Sequence, residues 1–205
     1  MIKKLVLSAL IAGMFSASAI AAGDPNIGKG KAAVCAGCHG ADGNGSPSNK
    51  TWPKIAGQHA SYLAKQLREF KSSSKARIDP TMSAMADGVD DADIEHIAAY
   101  YASLDKSSGA ADEKLLAVGQ KLYRGGDNKR GIAACASCHG PAGNGNPAAK
   151  FPAVAGQFAE YAAKTLNDFK SGARANDPGS MMRDVAAKLT ADEIKAVASY
   201  MAGLK

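Results

Sequence analysis

The chain is short of aromatic residues. Phe, Tyr and Trp together make up 6% of its 205 positions. Split over two small domains, that is too little for an ordinary core, so something other than side chains must fill the middle. No segment alternates with period two, which argues against a substantial sheet. No basic run or aromatic–basic interleaving is present, which argues against a nucleic-acid partner. After the first 22 residues no apolar run is long enough to span a bilayer. Histidine is rare, with four in all, and so is cysteine, also with four.

The N-terminal stretch reads as an export signal. Lys3 and Lys4 precede an apolar run from Leu5 to Phe15, and Ala19-Ile20-Ala21 supplies small residues at a cleavage site. Cleavage after Ala21 removes residues 1–21 and takes the formal charge from +6 to +4. The protein is therefore expected to be exported. Its mild positive excess suits acidic protein surfaces or anionic lipid headgroups.

An internal repeat organises what remains. VCAGCHGADGNG at 34–45 returns as ACASCHGPAGNG at 134–145, and WPKIAGQ at 52–58 returns as FPAVAGQ at 151–157. Tyr62, Lys65, Leu67, Phe70 and Lys71 recur 99 residues later, and the closing segment 91–104 recurs at 191–204. Two copies of one domain are expected, over 22–107 and 108–205, with the polar stretch 104–114 as linker. Each copy reads as helical. Ile94, Ile97, Ala98, Tyr101 and Leu104 share one face, as do Ile194, Val197, Ala198, Met201 and Leu204. Middle helices are expected over 58–71 and 157–170. Thr190 with Glu193 predicts a capping box, and Asp90 with Asp93 a poorer one.

All four cysteines fall in the two C-x-x-C-H motifs. A disulfide inside C-x-x-C would close a tiny loop and staple nothing distant. A thioredoxin-like pair needs a βαβ context, which is absent, and one zinc site shared between two repeats is an odd construction. C-x-x-C-H is the attachment signature of haem c: two thiols on one helical turn form thioethers with the porphyrin vinyls, and the adjacent imidazole takes the iron. Two covalently bound haem c groups are therefore expected, on Cys35, Cys38 and His39 and on Cys135, Cys138 and His139.

The sixth ligand is expected to be methionine. His59 and His96 have no counterparts in the second copy, where Phe158 and Ala196 stand. Met82 and Met85, and Met181 and Met182, lie in what read as loops beside Pro80 and Pro178. Aligning the closing segments at a shift of 100 places Met82 on Met182, Met85 on Val185 and Met181 on Thr81. Met82 and Met182 are thus the expected axial ligands, with Met85 and Met181 as packing around the haem. Histidine–methionine ligation leaves no open coordination position, which favours electron transfer over substrate chemistry.

With C-x-x-C-H, then P-x-[IV]-x-G-Q, then a methionine and a closing helix in each copy, the chain resembles the dihaem cytochrome c4 family, two class I cytochrome c domains in tandem. The resemblance covers nearly all of the chain after residue 21. It implies an all-α fold, each domain wrapped around one haem. It also implies that Pro53 and Pro152 give their carbonyls to the ligand histidines. Gly28 and Gly119 would lie where the first helix of each copy crosses the last, with Tyr100 or Tyr101, and Tyr200, packed there. The implied role is a periplasmic one-electron carrier and a monomer, in peripheral contact with the membrane. A quinol-oxidising complex would be its donor and a terminal oxidase its acceptor. Lys29, Lys31, Lys54 and Lys150 lie close to the haem-binding segments and are candidates for steering an acidic partner. Two other readings stay open: the electron-accepting subunit of a dehydrogenase complex, such as a flavocytochrome sulfide dehydrogenase, and a dihaem enzyme. The matched methionines and the lack of a spare cysteine argue against the enzyme. The segment 123–131 lengthens the second copy before its cysteines, so the two haem edges need not be equally exposed.

Overall fold

The computed structural model describes residues 23–205. The export signal read from residues 1–21 lies outside them. The described residues form ten α-helices in two similar sets of five. The first set is α1 (Pro25–Lys31), α2 (Ala33–His39), α3 (Ala60–Phe70), α4 (Pro80–Asp87) and α5 (Ile94–Ala102). The second is α6 (Glu113–Gly125), α7 (Ala136–His139), α8 (Ala159–Ser171), α9 (Met181–Ala187) and α10 (Ala191–Gly203). Among the described residues, extended pairing is confined to two isolated bridges, Asp127 with Ile132 and Asn146 with Phe151.

Each set is built the same way. The first helix crosses the last, and the middle helix packs on the last beside it, α1 and α3 on α5, α6 and α8 on α10. Gly28 and Gly119 make the crossings possible. A Cβ at Gly28 would lie 1.9 Å from the His96 carbonyl oxygen and 2.9 Å from Tyr100 Cβ. At Gly119 it would lie 2.3 Å from the Ala196 carbonyl oxygen and 2.7 Å from Tyr200 Cβ. Tyr100 and Tyr200 are therefore the crossing tyrosines. Tyr101 does something else: it is buried against Gly43, and its hydroxyl donates to the Ala32 carbonyl at 3.4 Å. In the second copy the bulk changes sides, with Tyr123 at the place of Ala32 and Met201 at that of Tyr101; the Tyr123 hydroxyl donates to the Gly140 carbonyl at 2.7 Å.

Local signals explain most of the helix ends. Asp24, Asp79 and Asp112 cap α1, α4 and α6 through side-chain carboxylates, with Pro25 and Pro80 at the first helical position. Thr190 and Glu193 form the capping box on α10. The expected Asp90–Asp93 box does not form; a 3-10 turn over Asp91–Asp93 leads into α5 instead. An aspartate at the third position lacks the methylene that lets glutamate reach back to the cap N–H.

The polar linker is held rather than loose. Asn44 Nδ2 donates to the Asp105 carbonyl at 3.0 Å and Asn44 Oδ1 accepts from Ser107 N–H at 2.6 Å. From the second domain, Asn144 Oδ1 accepts from Lys106 Nζ at 2.6 Å. Further on, the linker drapes over α10, where Ser199 Oγ accepts from the Asp112 N–H at 2.8 Å. That cover is why α10 is buried on several faces while α5 shows an ordinary apolar stripe.

The two domains meet through repeated residues. Gln157 of the second domain clasps Lys54 of the first: Gln157 Oε1 accepts from Lys54 N–H at 3.0 Å and Gln157 Nε2 donates to the Lys54 carbonyl at 2.9 Å. Gln58 clasps Ala153 in the same manner, with both bonds at 2.9 Å. Below them, Arg77 stacks on Phe70 of its own domain and reaches Tyr161 of the other, while Arg174 stacks on Phe169 and reaches Tyr62. Both guanidiniums bond Gln66 Oε1. Arg174 is 7% exposed.

Candidate haem sites

Cys35 and Cys38 lie on α2, one turn apart, with His39 as its last residue. Cys135 opens α7, Cys138 lies three residues on, and His139 ends it. None of the four cysteines is in a disulfide. Burial pushes the Cys35 thiol up and the Cys135 thiol up to about 11.

Both histidines are buried at 8% exposure. His39 Nδ1 lies 2.8 Å from the Pro53 carbonyl oxygen and His139 Nδ1 lies 2.9 Å from that of Pro152. A carbonyl can only accept, so the proton is on Nδ1 and the lone pair on Nε2. That is the tautomer a metal ligand needs. Burial holds both imidazoles below their ordinary pKa, against the opposing pull of the proline carbonyls. They are neutral and ready to coordinate.

The methionines do not lie in loops. Met82 and Met85 are on α4, and Met181 and Met182 open α9. Pro80 and Pro178, beside which the sequence predicts loops, instead start helical segments, and Asp79 Oδ1 accepts from Met82 N–H at 3.0 Å. Met82 and Met182 are partly buried, whereas Met85 is 37% and Met181 42% exposed in the protein alone. Each helix is fastened at its far end by an equivalent lysine. Lys71 Nζ donates to the Val89 carbonyl at 2.6 Å, and Lys170 Nζ donates to that of Leu189. These lysines stood out in the sequence only as repeated positions; what they reach is visible only in the fold.

The remaining histidines are occupied elsewhere. His96 Nδ1 accepts from Asp24 N–H at 2.8 Å, and His59 Nε2 donates to the Asn144 carbonyl at 2.8 Å across the domain boundary. Lys54 is also not the open surface charge its sequence position suggests. It bonds Ser107 at 3.0 Å and covers the Phe158 ring at 4.8 Å, and burial lowers its pKa. Lys31 pairs with Asp93 at 2.8 Å. Lys29 and Lys150 are exposed. The lengthened segment 123–131 completes α6 and then makes a closed turn in which Arg130 ties Asp127 to Glu193.

The donor set suits haem c: two free thiols, a neutral imidazole with its Nε2 lone pair, and a part-buried thioether, present twice. Such a set defines the c-type cytochromes. The family model for Cytochrome c matches residues 28–105 and 116–205. Cytochrome c4 of Stutzerimonas stutzeri is 46% identical over 209 residues, 98% of this chain and 99% of that one. The crystal structure of reduced recombinant cytochrome c4 from Pseudomonas stutzeri matches with a TM-score of 0.84 at 45% identity, covering 90% of this chain and 100% of that one. A thiosulfate dehydrogenase electron acceptor of Stutzerimonas stutzeri strain A1501 is 39% identical over 176 residues, 84% of this chain and 80% of that one. The chain belongs to the dihaem cytochrome c4 family. It is a dihaem electron-transfer cytochrome with two covalently bound haem c groups.

Proposed function

We propose that the protein is a periplasmic one-electron carrier of a respiratory chain, taking electrons from a quinol-oxidising complex and delivering them to a terminal oxidase. The carrying observation is that each C-x-x-C-H turn holds its histidine in the metal-binding tautomer. Cys35 and Cys38 hold the first haem and Cys135 and Cys138 the second, with His39 and Met82, and His139 and Met182, as axial ligands. The domains are 22–107 and 108–205, exported by the signal 1–21. Each haem, when bound, supplies a reversible ferrous–ferric couple.

The chain's own residues do the rest. Pro53 and Pro152 hold the imidazole protons and so fix ring orientation and basicity. Arg174, buried, and Arg77, half-buried, lie beside Gln66 with the nearby Glu69 bonded to Lys65, and offer guanidinium donors suited to haem carboxylates. They bring the Tyr161 hydroxyl down to about 8, although burial alone would raise it. The exposed Lys29 and Lys150 steer an acidic partner, so the rate of electron delivery to the oxidase falls as salt rises.

The test is a redox titration of the holoprotein followed by absorbance, then stopped-flow mixing with oxidase and with candidate dehydrogenases. Two one-electron steps, with fast, salt-sensitive oxidation by the oxidase, are expected. A second reading, the electron-accepting subunit of a dehydrogenase complex, is favoured by the similarity to the thiosulfate dehydrogenase electron acceptor. Stable co-purification with a dehydrogenase and no turnover with oxidase would establish it instead.

A further inference from the structure

The peptide that holds each histidine is itself held from the other domain. The Pro53 carbonyl accepts from His39 Nδ1–H at 2.8 Å. The N–H of the same peptide unit belongs to Lys54, and it donates to Gln157 Oε1 at 3.0 Å. In the second domain the Pro152 carbonyl accepts from His139 at 2.9 Å, and the N–H of that unit, on Ala153, donates to Gln58 Oε1 at 2.9 Å. Each glutamine also binds the next carbonyl through Nε2, at 2.9 Å in both cases. Each amide is fixed by a third bond to the N–H that follows it, His59 at 3.0 Å and Phe158 at 2.9 Å. Both glutamines therefore have one orientation, oxygen toward the peptide N–H.

Two hydrogen bonds through one peptide unit polarise each other. An acceptor on the N–H places more negative charge on the carbonyl oxygen, which then draws harder on the imidazole proton. A stronger Nδ1–H bond makes Nε2 a better donor to iron, favours the ferric state and lowers the potential. The bonds are part-buried, where such polarisation is least diluted by water.

We propose that Gln157 is a positioning residue for the first haem and Gln58 for the second, each tuning the iron of the opposite domain through the proline peptide. This rests on the reading of His39 and His139 as axial ligands. The two sites are then coupled by hydrogen bonding across the domain boundary as well as by charge.

The experiment is spectroelectrochemical titration of the holoprotein, the second haem being marked by the spectral change that Met182→Ala produces. Gln157→Leu is expected to raise the potential of the first haem and leave the second within error, although Gln157 belongs to the second domain. About a threefold change in the reduction equilibrium is expected, roughly 30 mV for a one-electron couple. Gln58→Leu does the reverse. Gln157→Glu keeps an acceptor on Lys54 N–H and charges it, so the first haem shifts the opposite way and further than the second. Lys106→Ala cuts a different interdomain bond, to Asn144, and leaves both potentials in place. If Gln157→Leu shifts the second haem alone, both haems equally, or neither, the crossed relay is wrong. His39→Ala separates this from the underlying reading: an unaltered first-haem spectrum would remove His39 as ligand, whereas loss of its low-spin spectrum with no crossed shift removes the relay alone.

Discussion

Two methionines in each copy compete for one iron, and the choice turns on single side chains. The repeat pairs Met82 with Met182, the two proposed as ligands; both are partly buried, while Met85 and Met181 are 37% and 42% exposed. Met182→Ala is expected to open the second iron to added ligands and lower that haem's potential, because a thioether that stabilises the ferrous state is gone. Met181→Leu leaves both haems near their starting values. The methionine–iron absorption band of the ferric protein checks both; its loss in Met181→Leu would reverse the assignment.

At the level of elements, α4 and α9 are two short helices that carry the proposed methionine ligands, eight and seven residues long. Helices of that length do not hold themselves in water, so their placement comes from what ties them down. The second copy has three residues between Pro178 and Met182 where the first has one between Pro80 and Met82, and Ser180 in the left-handed region absorbs part of the difference. Lys71 and Lys170 keep the same fastening in spite of it. Lys170→Gln is expected to loosen α9 and raise the affinity of the second ferric haem for added imidazole about tenfold, the scale of one charged hydrogen bond. Lys170→Arg recovers most of the original behaviour. Imidazole titration followed at the methionine–iron band measures this, and equal change at both haems would speak for general loosening instead.

The boundary between the two domains is crossed by many polar contacts. Four glutamine-to-backbone bonds, the crossed Arg77–Tyr161 and Arg174–Tyr62 contacts and the pinned linker all cross it. Breaking one partner leaves the other buried and unpaired, at about 1–3 kcal/mol for each. The double variant Gln58→Ala, Gln157→Ala is therefore expected to split a single calorimetric transition of the holoprotein into two. A single transition merely shifted downward would mean that the arginine contacts alone suffice.

Much of this was legible in the order of residues. A C-x-x-C-H turn is local chemistry: two thiols and an imidazole within five residues meet wherever the backbone turns once, so the haem sites needed no knowledge of the fold. The repeat and the apolar spacing at Ile94, Ile97 and Ala98, or Ile194, Val197 and Ala198, marked the helices for the same reason. Pro80 and Pro178 read as loop residues in the sequence and are helix starts in the fold, since proline at a first turn and proline in a loop look alike until the next hydrogen bonds are known. Lys54 is a candidate steering charge in the sequence because it lies close to a haem-binding segment, while the groups that cover it, Ser107 and Phe158, come from far along the chain. The same holds for the arginine pair and the two glutamines. A repeated glutamine says only that a position matters twice; that each one reaches the proline peptide of the opposite domain depends on how the copies face each other, and contacts between residues about 100 positions apart leave no pattern in a single sequence.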